Sequence, residues 1–370
     1  MSKKGFSLIS ILIIIAAAYL LFFSGLMPKK TRIVFVVSEE SIFEEICDDF
    51  NEENKDIKLD LIVKPIYEVQ EYVAKGRGDI WIPDDVLALL YTEDGFRYEN
   101  NGRDLYGRFT RIAHTPMIFV SAKEKYPYTS QMTVEDIYNN AVNNTGWDTI
   151  SGNMKWGDFR FSCPNPYISE DGANFISLFI HQYYRAKGEK LESVGLKELN
   201  DEGLQEYISQ FLKNISLTDG YSFLYDNFNS VDRALAVDIC PTFEWTFFDT
   251  MKHSFNSDYW ASVRIHYPDP TISLPVYLVV MKDSLKDSGK ADAIKRFEDY
   301  MLSEAVQNKL VKLGYRPVNP GEGVLEELEK KYGAYGIKAE LPEYVDPLDY
   351  SFIREFQKTM GRFVPAITNY

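Results

Sequence analysis

The segment FRFSCPNPYISEDGANF, residues 159–175, decides the fold class of this chain. It predicts a strand at about 159–162, a turn at the Pro-Asn-Pro sequence, and a helix from about Gly172 to Arg185. A strand followed by a loop and a helix is the repeating unit of α/β domains. The segment therefore indicates an α/β fold.

The same order begins near the N-terminus. The apolar run IVFVV (33–37) predicts a strand. In the segment that follows, apolar residues recur at helical spacing, and Ser38 or Ser41 can cap the helix. Strands and helices then continue to alternate, which predicts a parallel sheet. The next strand, helix and strand are predicted at 57–63, 66–75 and 79–83.

A second lobe is predicted after the extended segment 111–122. Two extended pieces within 261–282, separated by a Pro-rich break, predict a return crossing to the first lobe. Gly314 is placed to end the second of two helices within 291–314. Within the second lobe, a helix beginning near Thr133, helices at 204–213 and 221–234, and a strand at 234–239 are predicted. The expected division is 1–30 for a tail and anchor, 31–115 plus 268–320 for lobe 1, 116–267 for lobe 2, and 321–370 for a helical extension packed on lobe 1.

Composition excludes several classes of protein. The chain has 370 residues, 45% of them hydrophobic, which is ample for packed cores and excludes global disorder. Its formal net charge of −15 gives no support for nucleic acid as a partner. Three scattered cysteines exclude a zinc ribbon or a disulfide framework. Cys163 and Cys240 both follow predicted strands, so either one disulfide or two separately buried thiols is expected.

The N-terminus predicts a membrane attachment. Residues 5–28 form an uncharged, apolar-leaning stretch between Lys3-Lys4 and Lys29-Lys30, and about 20 such residues cross a bilayer. Because the run ends in bulky residues, we favour an uncleaved anchor over a signal peptide, and both over a buried core helix. A single-pass protein of the cell membrane, with its globular part on the extracytoplasmic face, is expected.

No catalytic signature is present, so we do not expect an enzyme. The sequence has no GxSxG elbow, HExxH pair, Walker loop or GxGxxG turn after a strand. The four histidines, His114, His181, His253 and His266, are widely spaced, which favours structural or surface roles. Neither a metal nor another cofactor is therefore predicted.

Three strand-to-helix turns are candidate binding sites, because ligands of open α/β sheets collect beside helix N-termini at strand ends. In the first, Ser38 and Ser41 either cap a helix or donate to a ligand. In the second, Ser169 opens a helix together with Gly172 and Ala173, and capping alone is again the alternative. Acidic residues in that turn, Glu170 and Asp171, argue against an anionic ligand. In the third, Glu244 with Trp245 suits a cationic or sugar-like ligand, or is simply an aromatic cluster with a solvated acid.

The order of these motifs resembles that of bacterial extracytoplasmic solute-binding proteins with the type II periplasmic-binding-protein fold. The resemblance spans about residues 31–320. It rests on GRGDIWIPDD, HTPMIFVSA, FRFSCPNPYISEDGANF, ICPTFEW, YPDPTISLPVYLVV and FEDYMLSEAVQNKLVKLGYRPVNP. It implies two α/β lobes, each with a central mixed sheet, joined by crossing strands that close on a solute. By the same resemblance, the ligand-binding residues are Ser38, Ser41, Thr115, Ser169, Gly172, Ala173 and Glu244.

We therefore expect a membrane-anchored solute-binding protein that closes on a small polar ligand and presents it to a membrane permease. The alternative is an interaction or sensory component of a cell-envelope assembly that uses the same bilobal fold. A third hypothesis, an envelope hydrolase, would use Glu244, Asp171 or Asp84 and is the least supported.

Overall fold

The computed structural model describes residues 30–38, 41–167, 169–191, 193–218, 237–253, 261–345, 347–348 and 350–360. The predicted membrane segment 5–28, the predicted helix 221–234 and the first part of the predicted strand 234–239 lie outside these residues. Within the described ranges, no helix combines the length and the apolar character that crossing a bilayer requires.

Strands and helices alternate through most of the described chain. The strands are β1 (Thr31–Val37), β2 (Ile57–Val63), β3 (Ile80–Trp81), β4 (Tyr106–Ala122), β5 (Ser162–Pro164), β6 (Ser216–Thr218), β7 (Ile239–Phe243), β8 (Val263–His266), β9 (Thr271–Met281), β10 (Arg316–Pro317) and β11 (Tyr344–Val345). The helices are α1 (Ser41–Glu53), α2 (Ile66–Ala74), α3 (Val86–Glu99), α4 (Tyr126–Thr129), α5 (Val134–Val142), α6 (Trp147–Ser151), α7 (Glu170–Ala186), α8 (Glu202–Lys213), α9 (Glu244–His253), α10 (Ser288–Met301), α11 (Glu304–Leu310), α12 (Val324–Tyr332) and α13 (Tyr350–Met360).

Lobe 1 is built on a sheet in the order β2-β1-β3-β9-β4-β10. β1 pairs in parallel with both β2 and β3, whereas β9 runs antiparallel to β3 and β4. The sheet is covered on both faces: Phe35 packs into the core that contains α1 and α10, and Val36 into the core that contains α2 and α3. Burial on both faces explains why the IVFVV run is continuously apolar.

Two adjacent strands carry the chain between the lobes. Residues 106–116 of β4 pair with β9 in lobe 1. From Met117 onward, β4 instead pairs with β7 and β8, which belong to lobe 2. The change of partner between Pro116 and Met117 marks the point where β4 leaves one lobe and enters the other.

Lobe 2 surrounds α7 with an aromatic core. Phe175 and Phe179 of α7 are fully buried, and both rings contact Phe211 of α8. Several predicted boundaries differ from the structure; β5, for example, is Ser162–Pro164 and not 159–162. Helix α7 begins at Glu170, two residues before the predicted start, because the Ser169 side chain caps it by accepting the N–H of Gly172. Strand β7 runs to Phe243, beyond the predicted end at 239, because residues 239–243 pair with β4.

The C-terminal extension lies mainly on lobe 2, whereas we expected it on lobe 1. Leu328 and Ile337 share a core with β8, and Phe352 and Phe356 of α13 join the core around α7. Helix α13 also contacts α3 of lobe 1. The extension therefore touches both lobes, with its buried side chains concentrated in the second.

Candidate functional site: the cleft between the lobes

A cavity of about 290 Å³ lies between the two lobes. Lobe 1 contributes the turn that follows β3 and part of the crossing strand β9. Lobe 2 contributes the residues that follow β5 and β7. The side chains that form its polar and aromatic walls are Asp84, Asp85, Thr115, Ser169, Asp171, Thr242, Phe243, Trp245, Thr246, Tyr277 and Tyr315.

The lobe 1 wall carries two adjacent carboxylates. Asp85 is the N-cap of α3 and accepts the N–H of Ala88 at 2.5 Å. Asp84 accepts a hydrogen bond from the Ser38 hydroxyl at the end of β1. Burial raises the pKa of Asp85 above its usual value. The sequence IPDD places both acids at this edge because it follows directly after β3.

The lobe 2 wall carries a third carboxylate. Asp171 lies in the first turn of α7 and is half-buried, with part of its surface open to the cavity. Burial raises the pKa of Asp171 to about 7, and repulsion from Asp85 across the cleft adds to the effect. The two lobes therefore bring like charges towards each other at this site.

Hydroxyl side chains also line the cavity. The Trp245 backbone N–H donates to Thr115 Oγ1 at 3.0 Å, which joins the crossing strand β4 to the start of α9. Thr242 on β7 is only 2% exposed and lines the cavity. Within the described residues its side-chain hydroxyl makes no hydrogen bond. A hydroxyl without a partner at the cavity wall can bind a polar group of a ligand.

Aromatic rings form a wide apolar wall. Trp245 and Tyr315 stack with their centroids 5.9 Å apart and their planes 6° from parallel. Both rings also border a smaller adjoining cavity, which Ser38 and Asp84 share. Because Tyr315 precedes β10 and Trp245 belongs to α9, this wall forms only when residues 70 positions apart come together.

The structure separates the predicted binding residues into three groups. Thr115 and Ser169 line the main cavity, and Ser38 lines the adjoining one. Ser41 is the first residue of α1. Gly172, Ala173 and Glu244 do not line either cavity.

These last three residues have packing roles. A Cβ atom on Gly172 would lie 2.2 Å from the carbonyl oxygen of Pro164, so the bare glycine lets α7 approach the end of β5. Ala173 is fully buried in the lobe 2 core. Glu244 is fully buried and paired with Arg316, whose Nε lies 2.9 Å from Glu244 Oε2. It is not a solvated acid, and its carboxylate is already satisfied.

Sequence reasoning did not select Asp84, Asp85, Thr242, Tyr277 or Tyr315 as binding residues. The sequence does contain a pattern that points to the two acids. IPDD follows a strand and leads into a helix, as the three candidate strand-to-helix turns do. Thr242 follows the strand predicted at 234–239, whereas the structure places it within β7, where it is the register partner of Ile118. Nothing in the local sequence distinguishes Tyr277 or Tyr315 from other aromatic residues.

Histidines and cysteines do not form a metal centre in the described ranges. No group of three His, Cys, Asp or Glu side chains is arranged there to hold a metal ion. His114 is half-buried beside Ser273, and burial lowers its pKa to about 4. Cys47, Cys163 and Cys240 are free and buried, so the disulfide alternative for Cys163 and Cys240 is not what the structure has.

Comparison with solved structures identifies the fold. The chain is similar to the Trichodesmium protein IdiA (FutA), solved in complex with iron and citrate, with a TM-score of 0.58 and 14% identity over 90% of this chain and 99% of that one. It is similar to iron-bound HitA of Pseudomonas aeruginosa, with a TM-score of 0.56 and 13% identity over 90% and 99%. It is also similar to an ABC transporter protein of Clostridium perfringens, with a TM-score of 0.57 and 14% identity over 91% of this chain and 100% of that one.

The chain therefore has the bilobal fold of ABC-transporter substrate-binding proteins, the type II periplasmic-binding-protein fold, which confirms the fold resemblance. No protein-family model matches the sequence, and no curated protein matches it.

Proposed function

We propose that this protein is an extracytoplasmic substrate-binding protein that closes two lobes on a small polar solute for an ABC transporter. One observation carries the proposal. The cavity lies where the lobes meet, and both lobes supply polar side chains to it: Asp85 from one and Asp171 and Thr242 from the other. Contacts to both lobes are complete only in a closed form, so a solute that makes them favours closure.

The same proposal places the globular part outside the cytoplasm, held at the membrane by residues 5–28. Support comes from the apolar character of that stretch in the sequence and from the fold. In this proposal the protein needs no catalytic residue, because its task is to bind a solute and release it to a permease.

The relatives differ in what their structures contain. The Trichodesmium protein was solved with iron and citrate, and a Listeria monocytogenes substrate-binding protein, with a TM-score of 0.55, was solved with cycloalternan. The fold thus accommodates unlike ligands, and the solute of this chain has to be inferred from its own cleft. The absence of a three-ligand grouping in the described residues gives a bare metal ion no support.

The proposal is tested by combining thermal unfolding with small-angle scattering on the full chain. Pools of amines, amino acids, sugars, oxyanions and metal chelates are added in turn, and a bound solute raises the unfolding midpoint by mass action. The expected result is a rise with one chemical class, together with a smaller radius of gyration as the lobes close.

A matched pair of variants locates the binding site. Trp245→Ala removes a cavity wall and is expected to abolish the midpoint shift, whereas Trp156→Ala removes a half-buried tryptophan outside the cavity and is expected to preserve it. If no solute of any class shifts the midpoint, the proposal is wrong, and an envelope protein that uses the fold for interaction becomes the better hypothesis.

A further inference from the structure

We propose that the cleft binds an organic ammonium ion: a protonated primary or secondary amine carried on an apolar stem. This inference rests on the proposed function, because it names the substrate class of the same cavity. Three independent properties of the cavity wall support it: its charge, its unused hydrogen-bonding capacity and its aromatic surface.

The charge of the wall is negative on both sides of the cleft. Asp84 and Asp85 come from lobe 1 and Asp171 comes from lobe 2. Among the described residues that line the main and adjoining cavities, none is a lysine, an arginine or a histidine. Carboxylates that approach from opposite lobes repel each other, so closure without a ligand is opposed. A cation between them converts the repulsion into attraction.

The hydrogen-bonding capacity of the wall points to a ligand with N–H groups. Thr242 is only 2% exposed and borders the cavity, and its hydroxyl makes no hydrogen bond among the described residues. The Asp171 carboxylate likewise makes no hydrogen bond within that part of the chain. An ammonium group donates several hydrogen bonds at once, to the carboxylates and to the hydroxyl oxygen. A quaternary ammonium ion carries the charge but has no N–H to donate.

The aromatic surface suits both parts of such a ligand. The stacked Trp245 and Tyr315 rings, with Tyr277 nearby on the wall, offer electron-rich faces that attract a cation. Leu274 and Val276 of β9 complete an apolar surface for a hydrocarbon stem. An inorganic anion would meet no positively charged side chain among the described wall residues, and it has no hydrocarbon part that could bind the apolar surface.

Compounds of nearly equal size but different charge test whether charge or shape determines binding to the cleft. Calorimetric titration of the full chain at pH 8 uses butylamine, 1,4-diaminobutane, 1-butanol, butyrate and tetramethylammonium. We expect binding of the two amines, none of butyrate, and at least tenfold weaker binding of 1-butanol and tetramethylammonium than of the better amine. Equal binding of 1-butanol would contradict a role for the charge, and equal binding of tetramethylammonium would contradict a role for the N–H donors.

Variants test whether amine binding depends on the residues of the cleft or only on the overall negative charge of the protein. Asp171→Asn is expected to weaken amine binding at least tenfold, and Thr242→Val several-fold. The matched control is Asp158→Asn, which removes an exposed carboxylate of the same lobe outside the cavity and is expected to leave affinity unchanged. Equal losses in Asp171→Asn and Asp158→Asn would show non-specific attraction and overturn the proposal.

Failure of this inference can be distinguished from failure of the proposed function. If a sugar or an oxyanion binds instead, and Trp245→Ala abolishes that binding, the cleft is a solute site and only the ammonium assignment is wrong. If neither amines nor solutes of any other class bind, both proposals fail together.

Discussion

Arg316 and Glu244 form a buried, two-pronged ion pair beside the crossing strands. Arg316 Nε and Nη2 lie 2.9 and 3.3 Å from the two Glu244 carboxylate oxygens. Tyr267 donates to the same carboxylate at 3.2 Å, and the carbonyl of Ala339 accepts from the guanidinium at 2.8 Å. Through these hydrogen bonds Arg316 of β10 connects helix α9 with the C-terminal extension.

Removing Glu244 should destabilise the protein strongly. Glu244→Ala leaves the Arg316 charge buried without its partner, which typically costs about 3–5 kcal/mol of unfolding free energy. The double variant Glu244→Leu with Arg316→Met should lose less than the sum of the single losses, because no charge remains buried alone. Urea unfolding of Glu244→Ala, of the single variants Glu244→Leu and Arg316→Met, and of the double variant provides the measurement.

The control for that prediction is an exposed pair. Lys295 and Asp299 are 59% and 61% exposed, so Asp299→Asn should change the unfolding free energy by less than about 0.5 kcal/mol. Losses of equal size in the buried and exposed pairs would contradict the role assigned to Glu244.

Asp171→Asn should stabilise the ligand-free protein at pH 8. Because the pKa of Asp171 is raised from 3.8 to about 7 in the folded state, folding favours its neutral form. The native stability linked to this group is fully present below about pH 4 and is lost as pH rises through 7. The amide cannot ionise, so its advantage should grow between pH 4 and 7 and then level off, on the order of 1–3 kcal/mol.

Thermal unfolding of both proteins across pH 4–8 provides the measurement. The lobe 1 group that acts on Asp171 is Asp85, and Asp84 lines the same cavity; both are acidic. A variant that is less stable than the native chain at pH 8 would show that Asp171 has a favourable partner and would contradict the proposed repulsion across the cleft.

Gly172→Ala should destabilise the lobe 2 side of the cleft. Its Cβ atom would lie 2.2 Å from the Pro164 carbonyl oxygen and 2.8 Å from Pro166 N, and both are backbone atoms that a rotamer change cannot move. We expect a loss of about 1–3 kcal/mol in unfolding free energy.

A second glycine provides the control for this substitution. Gly95 lies in α3 with no atom within 4 Å of an added Cβ, so Gly95→Ala should be neutral or stabilising by about 1 kcal/mol. If Gly172→Ala is as stable as Gly95→Ala, the close approach of α7 to β5 is not required.

The cysteines should be unreactive in the folded protein and fully titratable after unfolding. All three thiols are buried, and burial raises the pKa of Cys47 to about 12 and that of Cys163 still further. Ellman's reagent should detect almost no thiol in the native chain and three in urea without a reductant. Detection of only one in urea would indicate a disulfide.

The sequence by itself determined the alternation of strands and helices, although the short strands β6, β10 and β11 were not predicted. Period-3.6 and β-branched patterns are local, so they identified α1, β1 and β2 within a few residues, and Gly314 at φ +83° ends its helical segment as expected. The strand-end rule selected Ser169 and Ser38, and the family resemblance selected Thr115; all three line the cleft walls.

Only the tertiary structure decided which polar side chains remain available to a ligand. Glu244 and Asp171 are both acids near a helix start, yet Glu244 meets Arg316, 72 residues away, whereas Asp171 faces Asp85 across the cleft. Their difference depends on how β10 and α3 are placed beside lobe 2. Local sequence patterns report which face of an element is apolar, but the partner of a polar group is set by long-range packing.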